Sequence, residues 1–102
     1  MTEDVYTLLV QVGRSDGDGL PDGTTGAGLM CYAAGRDEKT AVDATVAVLR
    51  DAAMAPLEVE SYGSRSERLA AGEDIADEDA ALMDRARDEN AVLVVQITTF
   101  ED

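Results

Sequence analysis

The chain has 102 residues, of which 22 are acidic and 8 are basic, and its formal net charge is −14. This length suits one domain with one modest core, and the charge argues against nucleic acid or an anionic membrane surface as a partner. The sequence contains no histidine, which removes the commonest general base and zinc ligand and makes an enzyme less expected than a non-enzymatic protein.

The first third of the chain predicts two strands joined by a long loop. Val5–Val12 alternates so that one face is apolar and the other is mixed, which is typical of a central strand. Gly13–Gly28 contains six glycines, three aspartates and a proline, a composition typical of loops. Gly28–Ala34 is again apolar and predicts a second strand, so the two strands are expected to form a hairpin with a long tip.

A helix is predicted over Asp37–Ala55. Two starting points are open, because Asp37 can cap the first N–H groups and Thr40 with Asp43 can form a capping box. Pro56 disfavours helical geometry at the residue before it, so the helix should end by Ala55. Its apolar positions recur at helical spacing and predict the buried stripe: Val42, Val46, Leu49 and Ala53.

The second half of the chain predicts two strands and two helices. Leu57–Tyr62 alternates between apolar and acidic residues, as a strand does. A Ser-x-x-Glu capping box opens a short helix over Arg65–Ala71, and a longer helix follows at about Asp77–Glu89. Ala91–Phe100 has the strongest strand pattern in the sequence.

These elements predict an α+β fold in a single domain over residues 1–102. The order β-β-α-β-α-β is expected to form a two-layer α/β sandwich, loosely ferredoxin-like, with a four-stranded mixed sheet and the helices on one face. The opposite face is too apolar to be fully solvated, so it predicts an interface, unless the Gly13–Gly28 loop folds over it. The predicted interface residues are Thr7, Leu9, Gln11, Val92, Val94, Gln96 and Phe100.

The glycine-rich loop is one candidate ligand site. Its string DGDGLPDG resembles the calcium-binding loops of thrombospondin type 3 repeats and, more loosely, of EF-hands, and the resemblance implies Ca²⁺ ligands at Asp16, Asp18 and Asp22. The sequence departs from the pattern where Arg14 holds the first ligand position and Thr25 the last. A solvated hairpin tip explains the same residues without a metal. No other cofactor is indicated.

The end of the third strand is a second candidate site. It joins a helix start to hydroxyl groups and guanidinium groups, which together suit a carboxylate or phosphate ligand. The alternative interpretation is a capped helix with two solvated arginines. The residues concerned are Tyr62, Gly63, Ser64, Arg65 and Arg68.

Cys31 is the single cysteine, and its apolar neighbours predict a buried, unreactive thiol. No signal peptide or membrane helix is recognisable, so a cytoplasmic location is expected. Many aspartates, many alanines and one lysine are typical of salt adaptation, and a functional acidic surface is the alternative. The leading functional hypothesis is a non-enzymatic module that forms a homodimer or binds a protein partner. A small-molecule or anion-binding protein, with or without enzymatic activity, is the alternative.

Overall fold

The structure is a computed structural model that describes residues 3–101. This part of the chain forms four strands and three helices. In chain order they are β1 (Asp4–Gly13), β2 (Thr24–Gly35), α1 (Glu38–Asp51), β3 (Ala55–Ser64), α2 (Arg65–Ala70), α3 (Asp77–Glu89) and β4 (Val92–Glu101). The predicted α+β class and the order of the elements are therefore confirmed.

The four strands form one open sheet in the order β3-β1-β2-β4, and every neighbouring pair is antiparallel. The predicted mixed sheet is therefore wrong. The β1–β2 hairpin forms the centre, and β3 and β4 join it on opposite sides. As a result β2 and β3 run in the same direction with β1 between them, and α1 crosses over β1 to connect them.

The helices lie on both faces of the sheet, whereas one face was predicted. On one face Leu49 of α1 packs against Val10 and Leu29. On the other face Met83 of α3 packs against Val5, which points away from α1 because side chains alternate along a strand. The second core formed because β1 is apolar enough on its mixed face to accept a helix. We call the face under α1 the first face and the face under α3 the second face.

The helix α1 begins and ends through different local signals. Asp37 is its N-cap, and the side chain accepts a hydrogen bond from the Thr40 N–H at 2.8 Å, so the alternative start at Thr40 is wrong. The helix ends at Asp51, four residues before the predicted limit, because Ala53 adopts a left-handed conformation with φ of 62°. The buried stripe is rotated relative to the predicted one and consists of Ala41, Thr45 and Leu49.

Replacing Ala53 with glycine is expected to raise the free energy of unfolding by up to about 1 kcal/mol. A Cβ in the left-handed region costs roughly 1–2 kcal/mol, and the greater freedom of glycine in the unfolded chain offsets part of that gain. Thermal and urea unfolding would measure the change. Ala52→Gly is the control, since Ala52 has φ of −86° and glycine there should only destabilise. Equal effects of the two substitutions would contradict this account.

The remaining boundaries follow the sequence signals closely. The capping box of α2 is present in both directions, since Ser64 accepts from the Glu67 N–H and Glu67 accepts from the Ser64 N–H. The predicted limits of α3 are confirmed, and Asn90 closes that helix in a left-handed conformation. β2 begins at Thr24, four residues earlier than predicted, because the glycine-rich end of the predicted loop pairs with β4. No helix within residues 3–101 is long and apolar enough to cross a membrane.

Candidate functional site

The second sheet face is divided into a covered half and an uncovered half. α2 and α3 cover the half that contains Thr7, which is 5% exposed and accepts a hydrogen bond from Arg68 Nη1 at 2.8 Å. Thr7 is therefore buried within the chain and is not accessible to a partner at the predicted interface. The glycine-rich loop does not supply the cover, because its Leu20 packs against the core on the first face. This half of the face is therefore covered by helices and not by the loop.

A β-bulge in β4 divides the predicted interface residues between the two faces. Val94 pairs with Cys31, but the next pair is Gln96 with Met30, so one extra residue is inserted at Val95. Because an inserted residue shifts the alternation by one, even-numbered residues face opposite ways before and after the bulge. Val92 therefore packs in the core under α1, and Phe100 lies on the second face. The predicted single patch is wrong for Val92 and Val94.

The uncovered half of the second face, called the open face below, is apolar at its centre. The Phe100 ring and the Leu9 side chain lie on either side of Gly28, each within 4 Å of where a Cβ on that glycine would be. Leu9 and Met30 are half-buried, and Phe100 is 40% exposed. The strand register places the members of this face together: Leu9, Gln11, Gly28, Met30, Gln96, Thr98 and Phe100, with Glu58 and Glu60 at its border.

Met30 also belongs to the open face, although it is not among the interface residues predicted from the sequence. Its position was available from the alternation of β2, since Met30 precedes the buried Tyr32 by two residues and must share its face. Burial raises the pKa of Tyr32, and the Asp79 carboxylate raises it further.

The two edges of the sheet differ in charge and in proline content. β3 carries Pro56, Glu58 and Glu60, and its pairing with β1 is interrupted by two register shifts. β4 has no charged residue between Val92 and Phe100. Proline, charge and bulges are the features with which proteins protect an exposed edge from pairing. The β3 edge has all three, whereas β4 has neither proline nor charge between Val92 and Phe100, and its pairing with β2 shifts at Val95 and again after Phe100.

The glycine-rich loop is organised by Arg14. Its guanidinium group donates to Asp18 Oδ2 at 3.1 Å, to the Thr24 carbonyl oxygen at 2.8 Å and to the Pro21 carbonyl oxygen at 3.1 Å. Asp18 is buried and also accepts from two backbone N–H groups, while Asp16 and Asp22 are exposed. Within residues 3–101 no group of three acidic, histidine or cysteine side chains is placed to hold a metal ion. Calcium binding by this loop stays a prediction.

Asp18→Asn is expected to destabilise the protein at neutral pH and to have little effect near pH 2. Hydrogen bonds from the Ser15 and Leu20 backbone N–H groups, with Arg14, hold the pKa of Asp18 below its ordinary 3.8 despite burial. A lowered folded-state pKa stabilises the fold above 3.8, and that stabilisation is lost as the pH falls through the folded-state value. Melting temperature between pH 7 and pH 2 measures the effect.

The matched control for that experiment is Asp16→Asn, which removes the same charge from an exposed position in the same loop. Its melting temperature should follow that of the wild type over the whole pH range. If both variants behave alike, Asp18 does not hold the loop together.

The predicted strand-end site is dispersed in the structure. Ser64 is buried and caps α2. Arg68 donates a hydrogen bond to Thr7 on the second face, and Tyr62 is exposed on β3. Gly63 has φ of 95° and makes the turn between the strand and the helix. Arg65 alone of the predicted residues lines a cleft, which has a volume of about 420 Å³ and lies between the start of β1, α2 and α3.

The cleft is lined by three carboxylates, two guanidinium groups and two apolar side chains: Glu3, Asp4, Asp84, Arg65, Arg87, Val5 and Leu69, together with Ser66. Arg65 and Arg87 both donate to Asp84 Oδ1, and the hydrogen bond from Arg65 is the main reason that the pKa of Asp84 is lowered. Burial would raise the pKa of Asp4, but hydrogen bonds from Ser66 and the Val5 N–H outweigh it. Asp84 and Arg87 were missed because only the tertiary fold brings α3 to this strand end.

Cys31 is fully buried, and burial raises its pKa to about 11. The predicted structural thiol is confirmed.

No curated protein and no solved structure matches the chain. A family described as "Domain of unknown function (DUF8846)" matches residues 5–101, which is nearly the whole sequence, and the chain therefore belongs to that family.

Proposed function

We propose that the domain is a non-enzymatic module that acts by association, and that its partner is a second copy of the chain. The observation that carries the proposal is the open face, a surface with an apolar centre on a chain whose other exposed elements are rich in carboxylates. Apolar patches with a polar border on small proteins are typical of interaction sites. Leu9, Met30 and Phe100 form the centre of this patch, and Glu58 and Glu60 form its border.

The shape of the open face suits a protein better than a metabolite. The depression on it has a volume of about 60 Å³ and is lined by Leu9, Gln11, Glu58 and Glu60. Small-molecule sites usually have volumes of roughly 300–1,000 Å³. A depression of the observed size accepts one side chain of a partner surface.

The first test is the mass in solution by light scattering after size exclusion, over a range of protein concentrations. We expect a species with twice the 10.8 kDa mass of one chain, with a larger dimer fraction in molar salt than in low salt. Salt screens the repulsion between two chains of charge −14, because the screening length falls from about 10 Å at 0.1 M to about 3 Å at 1 M. A strict monomer at high micromolar concentration in both salts would contradict the proposal.

The cleft beside Arg65 supports a second candidate function, the binding of a small molecule. Its volume of about 420 Å³ lies in the range of ligand sites. Because Arg65 and Arg87 are both paired with Asp84, and the three lining carboxylates outnumber the two guanidinium groups, the cleft favours a cationic or neutral ligand over an anion. Thermal-shift measurements with spermidine and with citrate would test this. A shift with citrate alone would instead favour the anion site predicted from the sequence.

Three further expectations belong to the same proposal. The ferredoxin-like relationship is supported by the crossover from β2 through α1 to β3, with β1 between the strands, but β3 and β4 are antiparallel and do not repeat it. The acidity is proposed to be salt adaptation, which predicts a melting temperature that rises with salt. The site of action is proposed to be the cytoplasm.

A further inference from the structure

The outer edge of β4 is the place in this fold where a second chain can approach with little electrostatic cost. Of the two edge strands, β3 carries a proline and two glutamates, while β4 has neither proline nor charge from Val92 to Phe100. Exposed backbone N–H and C=O groups along such an edge are a template for another strand. The three exposed apolar residues of β4 are Val94, Ile97 and Phe100.

The lack of charge on β4 favours one kind of partner. A basic protein would be attracted to the carboxylates that cover the other exposed elements and would gain nothing from an uncharged strand. A partner that is itself acidic would be repelled by those carboxylates and would meet the least repulsion along this strand. This chain has a net charge of −14, so a second copy of it would be repelled in that way. A second copy of this chain is such a partner, and it presents the same uncharged strand.

The position of the bulge determines which part of β4 is regular enough to pair with another strand. After the extra residue at Val95, Gln96–Phe100 pairs with β2 without interruption. Two copies related by a two-fold axis align the same strand with itself in antiparallel direction, which satisfies the outward backbone groups of both copies.

We propose that two copies pair antiparallel along Gln96–Phe100 of β4, which joins the two four-stranded sheets into one sheet of eight strands. This inference rests on one part of the proposed function, association with a second copy, and places the contact between the copies at the β4 edge that borders the open face. Phe100 lies on the open face of each copy, so the pairing places the two open faces side by side as one continuous surface.

Ile97→Lys tests the pairing, with Leu57→Lys as the matched control. Both residues are exposed and apolar on edge strands, at 53% for Ile97 and 72% for Leu57, but they lie on opposite edges of the sheet. Lysine at position 97 places two like charges close to the two-fold axis and removes apolar contact. The dissociation constant, measured by sedimentation equilibrium, is expected to rise at least about tenfold for Ile97→Lys and to stay unchanged for Leu57→Lys. The added positive charge reduces overall repulsion equally in both variants, so the difference between them reports the edge.

A cysteine scan over Gln96–Phe100 provides a readout that does not depend on a disruptive variant. Cys31 is fully buried, so the introduced thiol is the accessible one. Oxidative cross-linking between copies is expected to peak at one position, where a residue meets its own counterpart across the axis, and to decline on both sides of it. A flat profile would overturn the pairing.

The outcomes separate this inference from the proposed function. If the wild-type chain is a monomer at all concentrations, both fail. If it is a dimer that Ile97→Lys leaves intact, or that Leu57→Lys dissolves, the association stands and the β4 pairing is wrong. Circular dichroism of each variant confirms that it is folded before its mass is interpreted.

Discussion

Replacing Met83 with alanine is expected to lower the free energy of unfolding by roughly 2–5 kcal/mol, the usual cost for a buried methionine or leucine. Met83 is fully buried, and its cluster on the second face includes Val5, Tyr32 and Ala86. The large effect follows because α3 has few other buried residues with which to hold the sheet. Against a total of about 5–15 kcal/mol for a domain of this size, such a loss is severe.

Urea unfolding followed by circular dichroism measures this change. The control is Leu69→Ala in α2, which also shortens a large apolar side chain, but one that is 53% exposed. That substitution should change the free energy of unfolding by no more than about 0.5 kcal/mol. If the two variants lose the same amount, α3 does not form a core with the second face, and the division of that face into covered and open halves is wrong.

Replacing Gly26 with alanine is expected to cost about 1–3 kcal/mol, the usual cost of overpacking a well-packed interior. A Cβ at this position would lie 2.4 Å from the Val12 carbonyl oxygen. Because that oxygen belongs to the backbone of the central strand β1, it cannot move aside as the end of a flexible side chain can. The glycine is required by the close approach of the two backbones.

Gly28→Ala is the matched control in the same strand. A Cβ there would lie 3.4 Å from Phe100 Cζ and 3.7 Å from Leu9 Cδ1, which are side-chain atoms in almost ordinary contact. Since glycine in a strand is destabilising by roughly 0.5–1 kcal/mol relative to alanine, this variant should be neutral or slightly more stable. Thermal unfolding of both variants measures the two effects. A greater loss of stability in Gly28→Ala than in Gly26→Ala would contradict the described packing.

The sheet also shows why the residues of the predicted interface do not share one face. Strict alternation along β4 places Val92 and Phe100 on one face, and that reasoning is sound for a regular strand. The bulge at Val95 reverses the alternation, and the sequence contains no glycine or proline there to indicate it. The bulge depends on how β4 pairs with β2, which is a contact between segments about 65 residues apart in the chain.

The candidate ligand sites likewise combine features that the sequence indicates with features that depend on the tertiary structure. The capping role of Ser64 was predictable, since it depends on a residue three positions away. The role of Arg14 was not, because its partners Asp18, Pro21 and Thr24 are collected by the course of the loop. Likewise Asp84 and Arg65 form one cleft because α3 packs beside α2, although nothing near either residue in the sequence indicates the other.

The sequence by itself determined the type and order of the elements, the capping box of α2 and the limits of α3, and it left two possible starts for α1. These signals act within one helical turn or one strand, so the residues that produce them are adjacent in the chain. Only the tertiary structure decided the antiparallel sheet order, the position of α3 on the second face and the division of that face. The mixed face of β1 is apolar enough to be covered or exposed, and the energy that selects between these states comes from Met83 packing on Val5, a contact between distant segments.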